Sequence, residues 1–178
     1  MDDFDDHWHR SEMSFQRADP ILTDVVLRVA NGKCDVVGVF LASHSSYFYN
    51  MFATSAHPRN NTFIVPHVTS TTFHWLLEVL HGKECINEEN VENLLEASQY
   101  FGGMKPVDNK CAEFLKTTED VPKPEKLVTA ERYHLKSLTE HIINSTTSMQ
   151  ELKEYLPRDF SALSRTTIEA VLWKMVYF

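Results

Sequence analysis

Apolar positions alternate in the first ordered stretch of the chain and recur at helical spacing through most of the rest. In "TDVVLRVANGKCDVV", Val25, Leu27 and Val29 alternate, and Asn31-Gly32 supplies two residues suited to the positive φ of a tight turn. The pattern predicts a β-hairpin, and pairing Val29 with Cys34 and Leu27 with Val36 gathers the apolar residues on one face. Such a face needs a cover, and Leu41, Ser45, Phe48 and Phe52 recur at the spacing that provides one. A single helix through "FLASHSSYFYNMF" is therefore expected.

"ATSAHPRNN" reads as a loop, and "TFIVP" as a short strand with Phe63 and Val65 facing one way. Ser70 or Thr71 then caps a helix carrying Phe73, Leu76, Leu77 and Leu80, which stops near Gly82. Asn87, Glu88 and Glu89 open the next helix, with Val91, Leu94, Leu95 and Phe101 on its stripe and Gly102-Gly103 at its end. A partner helix follows with Val107, Cys111, Phe114 and Leu115. "TTEDVPKPEK" interrupts the pattern with two prolines. Beyond it, Leu127, Tyr133, Leu135, Leu138 and Ile142 suggest two short helices, and the capping boxes Ser148-x-x-Glu151 and Thr166-x-x-Glu169 open two more. The expected organisation is a polar arm over residues 1–22, an α+β domain over 23–120 and a helical extension over 121–178. Leu27, Val29, Leu41, Phe48, Phe52, Leu94 and Leu95 are the expected core.

Length and composition narrow this picture. At 178 residues and 43% hydrophobic content, the chain can bury one ordinary core, with room for a small appendage. The net charge of −8 is nowhere offset by a Lys/Arg cluster able to track phosphates, which argues against nucleic acid as a partner. The acidic start "MDDFDDHWHRSEM" is unlike a secretory signal, and no run approaches the roughly eighteen apolar residues of a membrane span. An intracellular protein, cytoplasmic or nuclear, is expected, with no membrane association. Cys34, Cys85 and Cys111 lack metal-type spacing and are expected to be reduced and mostly buried. The triplets Asn60-Asn61-Thr62 and Asn144-Ser145-Thr146 carry little meaning in that compartment.

Several groupings invite a chemical reading. His44 stands beside Ser45 and Ser46, yet neighbours one or two apart on a helix point in different directions, and no G-x-S-x-G turn occurs. His7-x-His9 beside Asp5 and Asp6 sits in a polar arm that offers no closed ligand set. His67, His74 and His81 fall seven apart among core leucines and read as rim residues. The glycines form no phosphate or dinucleotide cradle. Neither an enzyme nor a cofactor is expected.

The order of these elements is joined to specific words. "DVVLRV", "FLASHSSYFYNMF", "FHWLLEVLHG", "ENVENLLEASQYF" and "KCAEFL" together resemble the BTB/POZ domain, in spacing most like the BTB domains of MATH-BTB proteins. "KLVTAERYHLKSL" resembles the first helices of the BACK extension that often follows it. The resemblance implies a small, mostly antiparallel sheet capped by a helical cluster, self-association or pairing with another BTB protein, and in many members an adaptor role in a cullin-RING ubiquitin ligase. It places Val39 and Ala42 near a dimer axis, although these residues could instead pack within one chain.

Three departures from the family pattern matter. Asp24 is present, but the histidine position after the second strand holds Val37, and the commonly basic position after it is Gly38. In the loop that would face a cullin, a hydrophobic-x-Glu element is replaced by Ala56-His57-Pro58. That replacement leaves a second reading open, a BTB scaffold or heterodimer partner that recruits no cullin.

Overall fold

The computed structural model describes residues 24–30, 32–54 and 61–178. Strands β1 (Val25–Val29) and β2 (Gly32–Val36) pair antiparallel, and β3 (Thr62–Val65) joins the other side of β1 in parallel, giving a mixed three-stranded sheet of order β2-β1-β3. Its inner face is Leu27, Val29, Cys34, Val36 and Val65, all buried.

The hairpin register departs from the expected one. Leu27 pairs with Cys34 and Val29 with Gly32, so the connection is residues 30–31, with Ala30 at φ +46°, and Gly32 lies inside β2. Asn31 is outside the described residues. The shift is two residues, which preserves which face each side chain occupies and so leaves the apolar face intact. Its physical reason lies in the third dimension: a Cβ on Gly32 would stand 2.6 Å from Ser70 Oγ, whose hydroxyl donates to the Val29 carbonyl at 2.7 Å. Glycine is placed there for the close approach of a helix, not for the turn.

Two helices replace the expected single one: α1 (Gly38–His44) and α2 (Ser46–Thr54), separated by Ser45 in extended conformation (φ −146°, ψ 119°). Leu41, Ser45 and Phe48 are buried as expected, while Phe52 is half-buried at the rim, stacked on Phe48 at 5.9 Å. Helix α3 (Ser70–Leu80) is capped by Thr69, one residue earlier than expected, whose Oγ1 accepts from the Thr72 amide at 3.1 Å. It ends before Gly82 at φ +87°. Asn87 Oδ1 accepts from the amides of Glu89 and Asn90 and so caps a turn that precedes α4 (Val91–Tyr100).

Helices α5 (Lys105–Thr117), α6 (Lys123–Arg132), α7 (Lys136–Ser145), α8 (Met149–Tyr155) and α9 (Arg165–Val176) complete the chain. Leu94 and Leu95 are fully buried, and one contiguous core runs from Leu27 on β1 to Leu163 ahead of α9. Ser148 caps α8, but Glu151 reaches back to the Thr147 amide at 2.8 Å, one residue outside the usual box. The expected box at Thr166 is not the start of α9: Ser164 is the cap, accepting from the Thr167 amide at 3.3 Å.

Candidate interaction surfaces

The segment that joins sheet and helices is built around two carbonyl or carboxylate acceptors. Asp24, just ahead of β1, accepts the Gly38 amide on Oδ1 at 2.6 Å and so supplies the N-terminal cap that Val37 cannot. Gly38 is buried there, and a Cβ would stand 2.7 Å from Val25 Cγ2. The two departures noted above thus have one structural basis: the carboxylate is occupied by backbone, and the position next to it leaves no space for a side chain. The result is a fixed first turn of α1 that turns Val39 outward, 75% exposed, with Val37 41% exposed beside it. Ala42, one turn on, is half-buried.

At the other end of α1, Ser45 Oγ donates to the Phe101 carbonyl at 2.7 Å and accepts from the Phe48 amide at 3.2 Å. The His44 ring lies edge-on to Phe40 at 4.9 Å. The serine is thereby a joint between helices, and the histidine lies edge-on against an aromatic ring. Gly102 and Gly103, at φ +89° and +79°, end α4, and a Cβ on Gly102 would stand 2.6 Å from Ser46 Oγ. Around this joint Phe48, Phe73 and Phe101 meet at centroid distances of 4.8 to 6.1 Å. Tyr47 lies against Tyr100 at 5.5 Å, and burial followed by that neighbour pushes its phenol up to about 12.

His74 corrects the expectation of a histidine rim. It is buried on α3, 3.6 Å from Glu78, whereas His67 and His81 are exposed. Burial holds the His74 imidazole below its ordinary value, and the Glu78 charge acts in the opposite direction. Cys34 and Cys111 are buried and Cys85 is half-buried; burial raises the thiols of Cys85 and Cys111 to about 11 and about 12, outside the range in which a thiolate forms readily.

Two polar joints in the helical half escaped sequence reading. Ser98 on α4 donates to Asp108 on α5 at 2.6 Å and accepts the Met104 amide at 2.7 Å. Glu131 on α6 accepts the Ser164 amide at 2.8 Å and the Thr167 hydroxyl, fastening the start of α9 to α6. Beside it, a groove of about 800 Å³ is lined by Glu131, His134, Lys136, Ile143, Leu163 and Ala170. Each carboxylate lies on a different element from the donors it accepts, which leaves no local spacing signal, so neither joint was visible in the sequence.

Among the described residues no group of three His, Cys, Asp or Glu side chains is placed to hold a metal ion, and no helix is long and apolar enough to cross a membrane. His7 and His9, and the loop residues Ala56, His57 and Pro58, lie outside the described residues.

Fold and surfaces define an α+β domain that leaves Val39 on α1 and Leu172, Trp173 and Val176 on α9 exposed. Residues 13–119 match the family model of the BTB/POZ domain, and the chain belongs to that family. Its relatives include BTB and MATH domain-containing protein 45 of Caenorhabditis elegans, 27% identical over 94% of this chain and 35% of that protein. BTB and MATH domain-containing protein 15 of the same organism is 31% identical over 70% of this chain and 46% of that protein. Human Kelch-like protein 6 is 35% identical over 56% of this chain and 16% of its own length. The chain thus spans about half or less of the length of these relatives. Among solved structures it is similar to the BTB domain of human Gigaxonin, with 17% identity, a TM-score of 0.47, and coverage of 53% of this chain and 78% of that one.

Proposed function

We propose that the chain is a protein–protein interaction module that associates, with itself or with another BTB protein, through the first turn of α1. The observation that supports this is the pair Val37 and Val39. A branched apolar side chain that is 75% exposed, on a turn whose backbone is held by the Asp24–Gly38 bond, is a contact surface with little backbone left to order on binding. A two-fold axis at this turn repeats each substitution on both sides. Val39→Glu, fully tolerable in the monomer at that exposure, should convert dimers to monomers in sedimentation. Unchanged dimers would move the interface elsewhere.

Within that reading the family resemblance supports an adaptor role in a cullin-RING ubiquitin ligase, with the loop of Ala56, His57 and Pro58 facing the cullin, in the cytoplasm or nucleus. The second reading, a BTB scaffold or heterodimer partner without a cullin, is favoured by one observation in the sequence: Pro58 stands where an acidic contact is common. Binding of purified cullin separates them. No association at tens of micromolar, well above the nanomolar to micromolar range of specific complexes, would remove the ligase role and leave the scaffold.

A further inference from the structure

We infer that the groove between α6, α7 and the start of α9 is a docking site for an acidic peptide of a partner protein, with an apolar side chain on its floor and carboxylates at its basic end. Two hollows meet there. The groove of about 800 Å³ has the buried residues Ala130, Ile143 and Leu163 in its lining, with Ala170 beside them, and falls in the size range of ligand pockets. A second hollow, about 310 Å³, opens between the first turns of α5 and α7 and is lined by Lys105, Asp108 and Ser137. His134 and Lys136 line both and so stand where the two adjoin, at the turn that joins α6 to α7.

Charge decides the occupant. Arg132 is held by Glu92, and Glu131 accepts the Ser164 amide and the Thr167 hydroxyl. Asp108 accepts the Ser98 hydroxyl at 2.6 Å, and burial raises its carboxyl above the ordinary value. Lys105 and Lys136 are exposed and, among the described residues, in no ion pair, and His134 is exposed between them and the groove. The two lysines open α5 and α7, where the helix dipole disfavours a cation, and neither Met104 nor Leu135 ahead of them supplies a capping side chain. On a chain of net charge −8, one end of this hollow is therefore a local excess of positive charge with no carboxylate of its own to offset it. Glu131 and Glu140 line only the larger groove, which turns a ligand's carboxylates away from it and toward the lysines. An inorganic anion would leave the apolar floor in water, and Arg132, whose planar fork suits phosphate, is already taken. A peptide with an apolar anchor beside acidic residues satisfies both ends.

The test is fluorescence polarisation of the labelled peptide Gly-Glu-Asp-Leu-Asp-Glu-Gly with the full chain, where a Kd below about 500 µM is expected. Raising salt from about 0.1 M to about 1 M should weaken binding several-fold, and the peptide with Gln and Asn for its acids, or with Gly for Leu, should bind at least about tenfold more weakly. Lys105→Glu with Lys136→Glu should cost at least about tenfold in affinity while raising the urea midpoint, because the first turns then carry the charge the dipole favours. That opposite movement separates a lost contact from a lost fold. Ala162→Trp, at an exposed position on the groove lining, should weaken binding with the midpoint unchanged. A Kd above about 500 µM, equal binding of the neutral peptide, or full affinity in the lysine variant overturns the inference. So does a gain of about tenfold in the chain carrying Asp2→Asn, Asp3→Asn, Asp5→Asn and Asp6→Asn, which would assign the groove to the chain's own acidic start. Val39→Glu should leave peptide binding unchanged, so failure of the α1 contact reads out separately.

Discussion

The Ser45 hydroxyl donates to the carbonyl of Phe101, 2.7 Å away in space and 56 residues away in sequence. The same oxygen accepts the Phe48 amide, so one atom caps the start of α2 and closes the end of α4. Ser45→Ala removes both bonds in a fully desolvated setting and should cost about 1–3 kcal/mol, seen as a lower urea midpoint at an unchanged slope. A cost below about 0.5 kcal/mol would show that the joint is not structural.

Gly32 and Ser70 form a second long-range pair. Gly32→Ala places a Cβ 2.6 Å from Ser70 Oγ and disturbs the bond to the Val29 carbonyl, so a loss of about 1–3 kcal/mol is expected. Ser70→Gly should recover part of it, and a double-mutant cycle of urea midpoints should give a clearly non-additive pair. Additive costs would mean that the strand, not the helix, sets the requirement for glycine.

Glu131 makes the attachment of α9 sensitive to acid. Burial acts to raise its carboxyl, but the bonds from Thr167 and Ser164 outweigh it and hold the group below its ordinary value of 4.5. The unfolded state therefore binds the proton more readily, and the stabilisation is present above about pH 4.5 and lost as the pH falls through the lower folded value. Glu131→Gln should lower the thermal midpoint at pH 7 and flatten its decline below pH 5. An equally steep acid limb in the variant would assign that limb to other carboxylates.

Pro58 separates the two proposed roles. If its presence prevents cullin binding, Pro58→Glu should create or strengthen association with purified cullin, measured by calorimetry, while leaving the oligomeric state unchanged. An unchanged affinity would count against the scaffold reading's explanation.

The side-chain pattern alone reported which residues are inward: Leu27, Val29, Leu41, Phe48, Leu94 and Leu95 are all fully buried, because burial of apolar area follows period and not detailed geometry. Phe52, one turn beyond Phe48 on α2, reaches only the rim, where its ring lies against Phe48 and Phe63. His74 was misjudged for a related reason: helical spacing places it with His67 and His81, yet only the packing of α3 shows that its turn lies inside.

What the sequence determined by itself was the apolar face of most strands and helices and the family they compose, since both depend on residue order. Only the tertiary structure decided the register of the hairpin, the break at Ser45 and the cap of α9. Each depends on a partner in a distant element, respectively Ser70, Phe101 and Glu131. Local periodicity carries no information about an acceptor tens of residues away. In "FLASHSSYFYNMF" it therefore showed an apolar stripe, while the role of its central serine was fixed by the end of another helix.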